Sequence, residues 1–152
     1  MLAVNDILTP ARTVCLAPGS SKKKLFETIA RIISDDQLSL PYDDVFAQLI
    51  GREKLGSTGL GQGIAIPHSR IGNCTHPLGT LVTLEEPIEF DAPDDKPVDV
   101  LFVLLVPEEA NQQHLEILSG LARLFSQPQY CASLRGARDS ADLFQAAIAQ
   151  DG

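Results

Sequence analysis

The chain predicts an α/β fold: a single mixed β-sheet flanked by helices on both sides. Three observations lead there. Segments with helical periodicity alternate with short β-branched stretches along the chain, the pattern of helices layered on a sheet. Residues 98–106 are apolar except for Asp99, as in a central strand buried on both faces. The 152 residues, 44% hydrophobic and 21% charged, are enough for one ordinary domain with a sizeable core, so 1–152 is taken as a single domain.

Composition also narrows function. A formal net charge of -8 with scattered Lys and Arg argues against a nucleic-acid surface, because such binding rests on neutralising phosphates. Residues 1–18 lack the apolar core of a signal peptide, and no run approaches the ~20 apolar residues that span a bilayer. No membrane insertion and a cytoplasmic setting are expected. Cys15, Cys74 and Cys131 are odd in number and far apart, so three free thiols are expected rather than a disulfide framework.

In order, residues 1–11 read as an arm or short turn ending at Thr9-Pro10, and 13–16 as a short strand. Ser20 or Ser21 caps a first helix whose Leu25, Phe26, Ile29, Ile32 and Ile33 recur at helical spacing. Pro41 suits the first turn of a second helix, with Val45, Phe46, Leu49 and Ile50 on its apolar face and an end near Leu55-Gly56. Arg52, Glu53 and Lys54 fall in its last turn, where the helix dipole favours cations. Residues 64–66 predict a short buried strand ended by Pro67, which leaves His68 at the strand end. A polar connection over 69–77 holds Cys74 and His76. Strand 79–84, an acidic loop over 87–96 and central strand 98–106, ended by Pro107, come next. Glu108 or Asn111 starts a third helix with Leu115, Leu118, Leu121, Ala122 and Phe125 on its face. Pro128 opens a fourth to about Leu134, and Ser140 caps the last, through Leu143, Phe144 and Ile148.

The chemistry concentrates between the second helix and His68, in Gly56-Ser57-Thr58-Gly59-Leu60-Gly61-Gln62-Gly63. Glycines tolerate positive φ and close approach, so such a loop can turn several N–H groups toward one anion. A neutral imidazole at the end of that cradle is a competent nucleophile if its other nitrogen is fixed by a hydrogen bond. A phosphoryl group on it needs positive partners. Loop N–H groups supply some, and Arg52 is the nearest full charge; the alternative for Arg52 is a solvated helix end. His114, in phase with Leu118, Leu121 and Phe125, is either a packed structural residue or reaches the pocket of His68, because strand ends and helix N-termini gather on one side of an α/β sheet. His68, Cys74 and His76 match no zinc spacing, and His114-Leu115-Glu116 does not continue into H-E-x-x-H. Neither a G-x-S-x-G elbow nor the Lys-Ser/Thr of a P-loop is present. No metal and no cofactor are expected.

Gly63-Ile64-Ala65-Ile66-Pro67-His68, preceded by Arg52-Glu53 and Gly56-Ser57-Thr58-Gly59, resembles the active-site signature of IIA domains of the mannitol/fructose class, in the phosphoenolpyruvate-dependent phosphotransferase system. Pro87-Ile88-Glu89-Phe90-Asp91, residues 97–102 and His114-Leu115 resemble its nitrogen-regulatory branch. The resemblance covers nearly the whole chain and implies the IIA mannitol/fructose-like fold. It implies that His68 accepts a phosphoryl group from an HPr-like carrier of the NPr type, without a metal. Arg52 would stabilise phosphate charge and His114 would supply a hydrogen bond. Gly56, Ser57, Thr58, Gly59, Gly61, Gly63 and Ser69 would form the phosphate-binding loop; many relatives carry glycine at the position of Ser69. A stand-alone acidic module suits a nitrogen- or potassium-related regulator that binds target proteins according to its phosphorylation. The alternative is a sugar-transport component passing phosphate to a IIB domain.

Overall fold

The computed structural model describes residues 3–18, 21–109 and 112–149. A 3-10 turn at Val4–Asp6 leads into β1 (Leu8–Ala17), followed by α1 (Lys22–Asp36), α2 (Tyr42–Leu55), β2 (Gly59–Gly61), β3 (Ile64–Ala65) and β4 (His68–Ile71). The chain continues through β5 (Leu78–Ile88), β6 (Val98–Pro107), α3 (Gln112–Phe125), α4 (Pro128–Arg135) and α5 (Ser140–Ile148). The strands form one six-stranded mixed sheet, ordered β1-β5-β6-β3-β2, with β4 also on β6.

β6 is the axis of the molecule. It pairs antiparallel with β5 on one side, and parallel with β3 and then β4 on the other. Leu101, Val103 and Leu105 enter a core under α1 and α2, while Val100, Phe102, Leu104 and Val106 enter a second core under α3, α4 and α5. Helices therefore cover both faces, because strand side chains alternate and both sets of this strand are apolar. Gly79 makes room for the ring of Phe102: a Cβ there would come within 2.5 Å of it.

Several boundaries differ from the sequence expectation. Residues 8–17 are a strand, not an arm and a short strand; Pro10 is tolerated because β1 is an edge strand with one free flank. Residues 68–71 are not loop but β4, whose ladder with β6 runs on from β3. Pro67 lacks an N–H, yet its carbonyl still accepts from Leu104 N–H at 2.9 Å, so the segment keeps its line. His68 thus begins a strand rather than ending one. Ser21 caps α1 by accepting from Lys24 N–H; the alternative Ser20 lies outside the described residues. Asp139, not Ser140, caps α5, and the proposed start at Asn111 lies outside the described residues. The buried face of α3 is His114, Ile117, Leu121 and Phe125, with Leu115 62% exposed. Residues i, i+3, i+7 and i+11 share one face, and Leu115 is rotated about 100° from it.

Candidate functional site

His68 stands half-buried at the first position of β4. Its Nδ1 lies 2.7 Å from the carbonyl oxygen of Ile66. A carbonyl only accepts, so Nδ1 carries the proton, and in the neutral ring Nε2 holds the lone pair. Ile66 is itself tied down, donating its N–H to the carbonyl of Thr58 at 3.0 Å. Burial pushes the His68 pKa below the ordinary imidazole value, opposed by the bond to Ile66, with Arg52 also lowering it and Glu53 raising it. The ring is therefore neutral at physiological pH.

His114, in the first turn of α3, packs its ring edge-on against that of His68, with centroids 5.7 Å apart and planes at 74°. It is 9% exposed, and its Nδ1 is buried with no hydrogen-bond partner among the described residues. Burial lowers its pKa first, and the neighbouring His68 and Arg70 lower it further. Two neutral imidazoles thus face each other.

Arg52 reaches from the last turn of α2, where its Nη1 donates to the carbonyl of Gly56 at 3.0 Å. Beside it in sequence, Glu53 points inward with its side chain 5% exposed. An anion near a helix C-terminus is disfavoured by the dipole. Here it is offset by Lys22 Nζ at 2.8 Å and by two bonds from Thr58, one from the hydroxyl at 2.6 Å and one from the N–H at 3.2 Å. Lys22 also donates to the carbonyl of Phe90, which accepts from the Ser57 hydroxyl as well.

The glycine loop is shaped by these bonds. Gly56 N–H donates to the Glu53 carbonyl, Gly59 N–H to Ser57 Oγ and Gln62 N–H to the carboxylate of Asp94. The donors of Gly56, Thr58, Gly59 and Gln62 are thus engaged within the chain. Gln62 and Gly63 form the turn between β2 and β3 with φ of 58° and 83°, the double positive φ of a tight hairpin turn. Gly61 pairs with Ile64 across that hairpin. Ser69 points to the α2 side, its Oγ 3.4 Å from Gln48 Oε1. A separate groove of about 670 Å³, lined by residues including Ile7, His76, Leu115 and Ile117, does not include His68.

The structure thus brings together His68, His114 and the end of α2 with the loop that follows it. Sequence reasoning missed Glu53 as more than part of a charged helix end, along with Lys22 and Asp94. An acidic residue between two cations was the one available signal for Glu53; nothing local marks Lys22, which acts from another helix.

Residues 6–150 match the family described as "Phosphoenolpyruvate-dependent sugar phosphotransferase system, EIIA 2". The chain is 42% identical over 148 residues to the nitrogen regulatory protein of Pseudomonas aeruginosa, covering 97% of this chain and 96% of that protein. It is 36% identical over 123 residues to a fructose-specific EIIA component of Haloferax volcanii, covering 79% of this chain and 80% of that protein. The crystal structure of nitrogen regulatory protein IIA-Ntr from Neisseria meningitidis superposes with a TM-score of 0.85 at 42% identity, covering 95% of this chain and 98% of that one.

Proposed function

Since the chain belongs to the phosphoenolpyruvate-dependent sugar phosphotransferase system EIIA 2 family, we propose that it is a phosphohistidine carrier with His68 as acceptor. The carrying observation is the 2.7 Å contact between His68 Nδ1 and the Ile66 carbonyl, which leaves Nε2 as the nucleophile. Nε2 attacks the phosphorus of a phosphohistidine on an HPr-like carrier; the new N–P bond forms as the carrier's breaks, and the bonding pair returns to the carrier's imidazole. His114, whose ring packs against that of His68 and whose buried Nδ1 has no partner among the described residues, offers a hydrogen bond, and Arg52 adds positive charge. No metal enters this reading.

The product carries a charge of about -2 at one spot on an already acidic chain, enough to repel an acidic partner or recruit a basic one. We read the chain as a regulator that binds target proteins according to its phosphorylation state, in line with the nitrogen regulatory proteins it resembles over nearly its full length. Its likeness to a fructose-specific component favours a second reading, onward transfer to a IIB domain.

Incubation with phosphoenolpyruvate, enzyme I and an HPr-type carrier, followed by mapping of acid-labile phosphate, tests the chemistry. Label is expected on His68 and absent from His68→Ala; absence of label from the native chain would sink the carrier reading. Mixing the phosphorylated chain with IIB domains separates the two roles: rapid onward transfer supports transport, and phosphorylation-dependent capture of a regulatory protein supports regulation.

A further inference from the structure

We infer that Arg70 supplies a guanidinium that binds the phosphoryl group on His68, from the same face of the sheet as His114. The inference rests on His68 being the acceptor and names a phosphate ligand that the glycine-loop motif does not contain.

The register of β4 places it. His68 and Arg70 pair with Leu104 and Val106, while Ser69 and Ile71 pair with Leu105 and Pro107. Leu104 and Val106 belong to the core under α3, whereas Ile71 and Leu105 belong to the core under α1 and α2. Residues two apart on a strand share a face, so His68 and Arg70 project toward α3, the helix that carries His114. Arg52 comes from α2 on the other face, the side on which Ser69 meets Gln48. The two arginines therefore flank this strand from opposite faces.

Their present engagements also differ. Arg52 donates to the Gly56 carbonyl. Arg70 is exposed, and its guanidinium has no hydrogen-bond or ion-pair partner among the described residues. Its charge lowers the pKa of the buried His114 ring, as a cation on the α3 face would. A guanidinium matches the oxygens of a phosphoryl group better than a point charge does. A charge of about -2 arriving at half-buried His68 gives it a partner. During transfer Arg70 donates hydrogen bonds and exchanges no proton.

The test uses the full chain with phosphoenolpyruvate, enzyme I and an HPr-type carrier, read by the rate of His68 labelling and by phosphorus NMR of the labelled protein. Arg70→Ala is expected to label about tenfold or more slowly, the factor for one charge-assisted hydrogen bond. Its phosphate should ionise at higher pH than the native one, because the cation that favours the dianion is gone. Arg70→Lys should recover part of both effects, and thermal unfolding should not move. A native rate and native phosphate ionisation in Arg70→Ala would overturn the inference while His68 labelling stands. A raised KM for the carrier with kcat and phosphate ionisation unchanged would overturn it too, assigning Arg70 to carrier docking. A native chain that takes no label on His68 removes the acceptor reading and this one together.

Discussion

His68 Nδ1 and the carbonyl oxygen of Ile66 lie 2.7 Å apart, two residues along one chain. The donor and acceptor sit on either side of Pro67, whose ring limits φ, and Ile66 is held in turn by Thr58. The orientation of the imidazole is therefore set by backbone, which no side-chain substitution nearby removes outright.

The acid limb of phosphoryl acceptance follows from this setting. Burial lowers the His68 pKa below its ordinary 6.5, and only the neutral ring is nucleophilic. The rate of labelling should be level at and above neutral pH and fall only below about 6.5. Initial rates across a pH series, with the carrier held saturating, check this; an acid limb centred above 6.5 contradicts it.

The same shifts bear on stability. His68 and His114 both have lowered pKa values in the folded chain, so the unfolded chain binds more protons at mildly acidic pH. Stability from these residues is present in full above the ordinary imidazole pKa. It is lost as pH falls through that value to the lowered folded ones. Denaturant midpoints at pH 7.5 and pH 5.5, about one unit either side of the ordinary value, should drop for the native chain and drop less for His114→Gln.

Glu53 should be costly to neutralise. Its buried carboxylate holds Lys22 and both donors of Thr58, and leaving the buried donors of Thr58 unsatisfied costs about 1–3 kcal/mol. Glu53→Ala is expected to lose stability of that order in urea unfolding. It should also slow His68 labelling, since Thr58 anchors Ile66. A near-native midpoint would show that the network contributes little.

Arg52→Ala should slow labelling through the loss of positive charge near His68. If the labelling rate is unchanged, the residue serves only the helix end, where it bonds Gly56.

Gly63→Ala should destabilise by about 1 kcal/mol or more from its positive φ alone. Its added Cβ also meets Arg135 Nη2 at 2.6 Å and Asp99 Oδ1 at 2.9 Å. Thermal melting reads the total, and an unchanged midpoint would mean that Arg135 swings aside without loss.

Much of the fold was legible because its signals are local. The continuous apolar run of β6, the 3.6-residue period of α1 and α2 and the proline starts of α2 and α4 depend on neighbours in sequence. Residues 8–17 and 68–71 are less legible for one reason: both are strands by virtue of ladders to β5 and β6, and short polar sequences such as His68-Ser69-Arg70 carry no apolar period. Leu115 reads as core in the sequence because leucine is apolar; the helix rotation that buries His114 and Ile117 turns it outward.

The glycine loop, the Pro67-His68 junction and the alternating layers follow from local sequence, since backbone freedom and side-chain period are properties of adjacent residues. Which groups meet is set by packing. The pairing of β4 with β6 sets His68 and Arg70 on the α3 face, helix packing brings His114 to 5.7 Å from His68, and Lys22 reaches Glu53 from a different helix. Contacts between residues tens of positions apart depend on how sheet and helices stack, and no spacing along the chain encodes that.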